Sequence, residues 1–124
     1  MPYTTSWEAT GIVWMFSGHV SSEEIQQAND EFYKDPRSDT AKYQLIDAVN
    51  VDSVEWQDTD IKEIAAIDAG AGKVIRNLKV AYVSNNQEIS EKLEKYIEIS
   101  RILNRSWSFR GFNRIAAALD WVLN

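Results

Sequence analysis

The chain has 124 residues, 44% of them apolar and 26% charged, with a formal net charge of −6 and no cysteine. That length and mixture describe one folded domain, and exclude a disordered chain or a helix long and apolar enough to span a bilayer. Disulfides, thiolate metal sites and a cysteine nucleophile are excluded outright, and the negative balance opposes binding to nucleic acid, whose phosphates call for a basic face.

The opening residues Met1 to Trp7 carry neither a basic start nor an apolar run, so no signal peptide is expected and the chain is assigned to the cytoplasm. Tyr3 to Glu8 and Gly11 to Ser17 are runs rich in Thr, Trp, Val and Phe. The turn Ala9-Thr10-Gly11 between them predicts an antiparallel hairpin. The first run, with Thr4, Ser6 and Glu8 on one face, suits an edge. The second is apolar on both faces, which predicts a central strand covered on both sides. Ser21-Ser22-Glu23-Glu24 is a capped helix start, followed by Ile25, Ala28, Phe32 and Tyr33 at helical spacing and stopped by Pro36. Arg37 to Lys42 reads as a polar connector.

Tyr43 to Val49 is an apolar strand, and the acidic stretch from Val49 to Asp60 reads as a loop. Asp58-Thr59-Asp60 caps a helix carrying Ile61, Ile64, Ala65 and Ile67, which ends near Gly70-Ala71-Gly72. Leu78 to Ser84 is the next strand, with Leu78, Val80 and Tyr82 on one face and Ala81 and Val83 on the other. Asn85-Asn86 leads into a long helix, Gln87 to Leu103. A short strand, Ser106 to Arg110, precedes a closing helix capped by Asn113. The order β-β-α-β-α-β-α-β-α over residues 1–124 predicts a single α/β domain, with a mixed, mostly parallel sheet flanked by helices. In such sheets ligands gather beyond the carboxyl ends of the strands.

Several residues there carry functional groups. Asp47 lies inside an apolar strand, where a carboxylate needs a partner. It is either an anchor for nearby backbone amides or a catalytic or metal-binding acid. Asp52, Asp58 and Asp60 follow, but their spacing matches no metal motif, and the helix start accounts for the last two. No metal or cofactor is therefore expected. Trp56 interrupts the acidic stretch and could wall an apolar pocket. His19 is the lone histidine, and Asn85 sits at another strand end. No nucleophile elbow, phosphate loop or dinucleotide fingerprint is present, so the protein is expected not to be an enzyme.

Asp35-Pro36-Arg37, Tyr43-Gln-Leu-Ile-Asp47, Ile64-Ala65-Ala66, Lys79-Val-Ala-Tyr-Val83 and the ending Ala117-Ala118-Leu119-Asp120-Trp121-Val122-Leu123 resemble short bacterial STAS-like proteins, similar to the anti-sigma-factor antagonist. The resemblance implies a STAS-like fold. Asp47 matches the family's strand Asp, and Thr59 is the hydroxyl nearest the family's phosphorylation position. The same group is likened to CRAL-TRIO carriers of apolar ligands.

Three functions follow. The leading one is a non-enzymatic regulatory or ligand-binding module. It would take a protein partner or small ligand at the end of the sheet, through Asp47, Asp52, Trp56, Asp58, Thr59, His19 and Asn85. The second is a carrier of an apolar, lipid-like ligand beneath the long helix, whose wide apolar stripe equally suits a homodimer surface. The third is a hydrolase using Asp47, Asp52 and His19.

Overall fold

The computed structural model describes residues 3–124. The strands are β1 (Tyr3–Trp7), β2 (Gly11–Ser21), β3 (Tyr43–Glu55), β4 (Lys79–Val83) and β5 (Ser108–Phe112). The helices are α1 (Ser22–Lys34), α2 (Asp58–Ala71), α3 (Gln87–Leu103) and α4 (Ile115–Leu123). The strands form one sheet in the order β1-β2-β3-β4-β5. β1 runs antiparallel to β2, and every later pair is parallel. The expected element order and mixed sheet are both present. The polar connector after α1 is a short 3-10 helix, Pro36–Thr40, whose start Asp35 caps by accepting from the Arg37 N–H.

The two faces of the sheet are covered unequally. α1, α2 and α3 close over one face, burying Ile12, Trp14, Phe16, Ile46, Val80, Leu93 and Ile97 among others. α4 alone covers the other face, against Tyr43, Leu45, Ala81 and Val83. The alternation along β4 divides its side chains between the two cores as its sequence pattern predicts. β2 departs from expectation. Ile12, Trp14 and Phe16 are buried, whereas on the opposite face Val13 is half-buried and Met15 is 45% exposed, because α4 packs mainly on β3 to β5.

The larger correction concerns the acidic stretch after Val49. It is strand, not loop. β2 and β3 run past the end of β4 as a two-stranded ribbon, pairing Ser17 with Asn50 and Ser21 with Glu55. Only Trp56 and Gln57 separate β3 from α2. Two register breaks give β3 one extra residue each, between Asp47 and Asn50 and between Val51 and Ser53. Gly18, at φ +70, lies at the second break, in a conformation that side-chain-bearing residues rarely adopt. Each bulge reverses the alternation. Gln44, Ile46 and Ala48 face the three-helix side; after the bulges Val51 and then Val54 do so, leaving Ser53 and Glu55 outside with His19.

Helix ends account for two smaller shifts. α2 starts on Gln57, whose N–H donates to the Asp60 carboxylate at 2.9 Å. α4 is preceded by Arg114, which makes no side-chain capping bond, in place of the expected Asn113.

Candidate functional site

Between the sheet and α1 to α3 the core leaves a cavity of about 60 Å³. Its walls are contributed by every element around it: Trp14 and Phe16 from β2, Ile46 and Ala48 from β3, Tyr82 from β4, Ala28 from α1, Ile61 from α2 and Leu93 from α3. One water needs roughly 10–15 Å³, so the space takes a handful of waters or one small organic molecule. Val20, Val51 and Trp56 place it toward the carboxyl ends of β2 and β3. Half-buried Ile25, Asn29, Trp56 and Tyr82 mark where it approaches solvent.

The lining is apolar apart from a few groups, two of which lack partners. Gln44 is 3% exposed and its Nε2 makes no hydrogen bond; the buried Nε1 of Trp56 makes none either. A buried N–H without an acceptor is costly, so such groups in folded proteins mark where something else supplies one. Trp56 is held in place by its backbone, whose carbonyl accepts from Lys92 Nζ at 3.0 Å. The next turn is tied to the same helix by the Lys95–Asp58 ion pair at 2.7 Å, which holds the Asp58 carboxyl below its usual range. The short link between β3 and α2 is thus latched onto α3 along the cavity edge.

Behind Tyr82 and Tyr96, which also line the cavity, lies a buried acid that sequence reasoning missed. Asp68 on α2 is 3% exposed. Its carboxylate accepts from Tyr33 Oη at 2.5 Å and from Tyr96 Oη, while Asn104 Nδ2 donates to its backbone carbonyl at 3.1 Å. Burial pushes the Asp68 carboxyl up to about 6, against the two tyrosine bonds that favour its charged form. Burial and the Asp68 charge together push the Tyr33 and Tyr96 hydroxyls up. The only sequence signal was Asp68 following the apolar Ile64, Ala65 and Ile67 at the end of an amphipathic pattern, which does not reveal tyrosines from α1 and α3.

The residues expected to form a site are scattered. Asp47 is 4% exposed and accepts from the Val49 N–H at 3.0 Å, so it clamps the first bulge of β3. His19 lies within β2 rather than after it. Its Nδ1 is 2.7 Å from Ser53 Oγ and its Nε2 is 3.5 Å from Glu55 Oε2. No hydrogen bond joins Asp47, Asp52 and His19 among the described residues, so the expected acid–histidine trio does not assemble. Ser53, His19 and Glu55 repeat the order of a hydroxyl–imidazole–carboxylate relay. Their exposed place on the ribbon, with His19 and Glu55 side chains 58% and 73% exposed, gives no exclusion of water and no enclosing cleft. Asp52, Thr59 and Asn85 are exposed, and Asp58 is engaged by Lys95. Of the site residues expected from the sequence, only Trp56 lines the cavity.

A solved structure of an uncharacterised protein of the DUF3478 family, from Shewanella loihica PV-4, matches the whole arrangement. It is described as having a SpoIIAA-like fold. The match covers 97% of this chain and 91% of that one, with a TM-score of 0.56 and 14% identity. The chain has a SpoIIAA-like fold. No family profile and no curated protein matches it. The SpoIIAA-like, or STAS-like, architecture expected from the resemblance is therefore the observed one. At 14% identity the likeness extends to fold alone. In this SpoIIAA-like sheet the cavity occupies the three-helix side, and no helix is long and apolar enough to cross a membrane among the described residues.

Proposed function

We infer that the protein is a non-enzymatic binding module that holds a small, largely apolar ligand in the cavity between the sheet and α1 to α3. The observation that carries this reading is the cavity itself, apolar on nearly every wall and lined in part by Gln44 and Trp56, whose buried side-chain N–H groups have no partner. Binding pockets have this composition: apolar and aromatic walls with a few placed polar groups. Its position near the carboxyl ends of β2 and β3 joins two expectations, a ligand at the end of the sheet and an apolar cargo beneath the helices. Its size favours a compact molecule over a long acyl chain. Trp56, latched to α3 through Lys92, is the side chain that governs entry. A cytoplasmic place for the module fits the absence of cysteine.

Titration with methylenecyclopentane, followed through methyl resonances, tests the reading. Saturable shifts are expected at Ile46, Ile61 and Ile64, and Ala48→Leu, which fills the same space, should abolish them. Methyl resonances that stay in place with this hydrocarbon and with its ketone counterpart cyclopentanone alike would remove the cavity as a ligand site.

A further inference from the structure

Gln44 and Trp56 say more about the ligand than the apolar walls do. Gln44 is the second residue of β3 and Trp56 lies just past its last, so they stand toward opposite ends of the in-facing column that runs through Ile46, Ala48 and Val51. Trp56 Nε1 carries a hydrogen and has no acceptor capacity. Gln44 lines the same space, and its buried amide nitrogen has no partner. Neither side chain is committed to the protein, and both are too buried for bulk water to satisfy them cheaply. Among the described residues no Lys, Arg or His lines the cavity to neutralise an anion. The Asp68 carboxylate binds Tyr96 from behind and repels a negative guest, while the ammonium of Lys92 at the cavity edge is engaged by the Trp56 carbonyl at 3.0 Å.

We propose that the ligand is a small uncharged molecule bearing a carbonyl-type hydrogen-bond acceptor, which pairs with the Gln44 amide or the Trp56 indole N–H while its hydrocarbon part fills the apolar space. The inference rests on the cavity being a ligand site, and it adds the chemistry of recognition. A long-chain carboxylate is disfavoured twice, by its length and by its charge. A pure hydrocarbon fits the walls but leaves both N–H groups unpaired. A cyclic ketone, an ester or an amide of comparable size meets both requirements.

Cyclopentanone and methylenecyclopentane have nearly the same shape and differ in whether an acceptor oxygen is present. Their dissociation constants are to be measured on the wild-type chain, on Gln44→Met, which keeps the side chain's size, and on Trp56→Phe, which gives a smaller ring; both delete the free N–H. Comparing the ratio of the two constants between proteins cancels their different hydration in water. That ratio should move against the ketone about tenfold in at least one variant, the worth of one buried hydrogen bond. In the wild type, cyclopentanone alone should shift the Trp56 Nε1–H or Gln44 side-chain amide resonances. This readout does not depend on a variant folding. Cyclopentanecarboxylate at pH 7.5 should fail to displace the ketone.

Failure of both neutral probes to bind would overturn the cavity reading and this inference together. Binding of both probes with an unchanged ratio in the two variants, and with silent N–H resonances, would leave the cavity reading standing and overturn the polar recognition. Displacement by the carboxylate at similar affinity would overturn the assignment of an uncharged ligand.

Discussion

Gly11 opens β2 at a point where the chain has no room for a side chain. A Cβ built there would lie 2.6 Å from the Tyr43 ring, which is 2% exposed and cannot swing away. Gly11→Ala should therefore destabilise the protein by about 1–3 kcal/mol, the usual cost of forcing an extra methyl into packed core. Urea unfolding checks this, and an unchanged midpoint would mean that the β2–β3 pairing yields without cost. Asp47 illustrates another single-residue effect. The sequence allows an anchor or a catalytic or metal-binding acid, and the bond to the Val49 N–H supports the anchor. Asp47→Ala leaves that amide without its acceptor beside a bulge and should cost roughly 1–3 kcal/mol. Asp47→Asn keeps an acceptor and should cost less. Amide exchange at Val49 is the local readout, and it should quicken in the alanine variant.

Among the elements, β3 holds the most information and was the least legible. Its first half reads as strand because Tyr43, Leu45, Ile46 and Val49 are apolar and mostly β-prone. Its second half mixes Asp52, Ser53 and Glu55 with Val51 and Val54, and that mixture resembles a loop in isolation. It is strand because β2 supplies a partner for it and because a ribbon with one exposed face tolerates polar side chains there. The two bulges then choose which of these residues face inward, and no periodicity of two survives them. α2 shows the same division. Its start was legible, since Asp60 receives the Gln57 N–H where a helix terminus leaves amides free. Its attachment to α3 through Lys92 and Lys95 was not, because those lysines lie more than thirty residues further along the chain. Lys92→Met should keep the fold while loosening Trp56. The expected result is a weaker grip on cavity probes, by a few-fold, together with red-shifted Trp56 fluorescence as the indole meets water.

At the scale of the whole molecule, the buried Asp68 couples three helices, since its carboxylate on α2 receives Tyr33 from α1 and Tyr96 from α3. Its folded-state value, about 6, lies above the ordinary 3.8. An acid raised in this way favours the folded state when protonated. Its contribution is full below about pH 4 and is lost as the pH rises through about 6. Two units correspond to about 3 kcal/mol. The stability of the wild type relative to Asp68→Asn should accordingly fall between pH 4 and pH 7, measured by urea unfolding at each pH. A difference that does not vary with pH would mean that the carboxyl titrates alike in both states. The cavity makes a second global prediction. Ala48→Leu fills space that the native core leaves empty, so its effect on stability should stay within about 1 kcal/mol while probe binding disappears. A loss of several kcal/mol would show that the cavity walls are already in contact.

Local patterns along the chain were sufficient for the fold class. Helical spacing, caps such as Ser21, the stop at Pro36 and the two-sided strand Leu78 to Ser84 each depend on neighbours a few residues away, and these give the α/β order and the mixed sheet. The STAS-like resemblance rested on the same framework residues. What the chain could not reveal by itself is where distant groups meet. The cavity exists because side chains from three strands and three helices fail to fill the space between them. Gln44 matters because nothing across that space accepts its hydrogen bond, and Asp68 because two tyrosines arrive from other helices. Cavities, unpaired donors and buried charge clusters are properties of contacts between remote segments, and only the tertiary structure decides them.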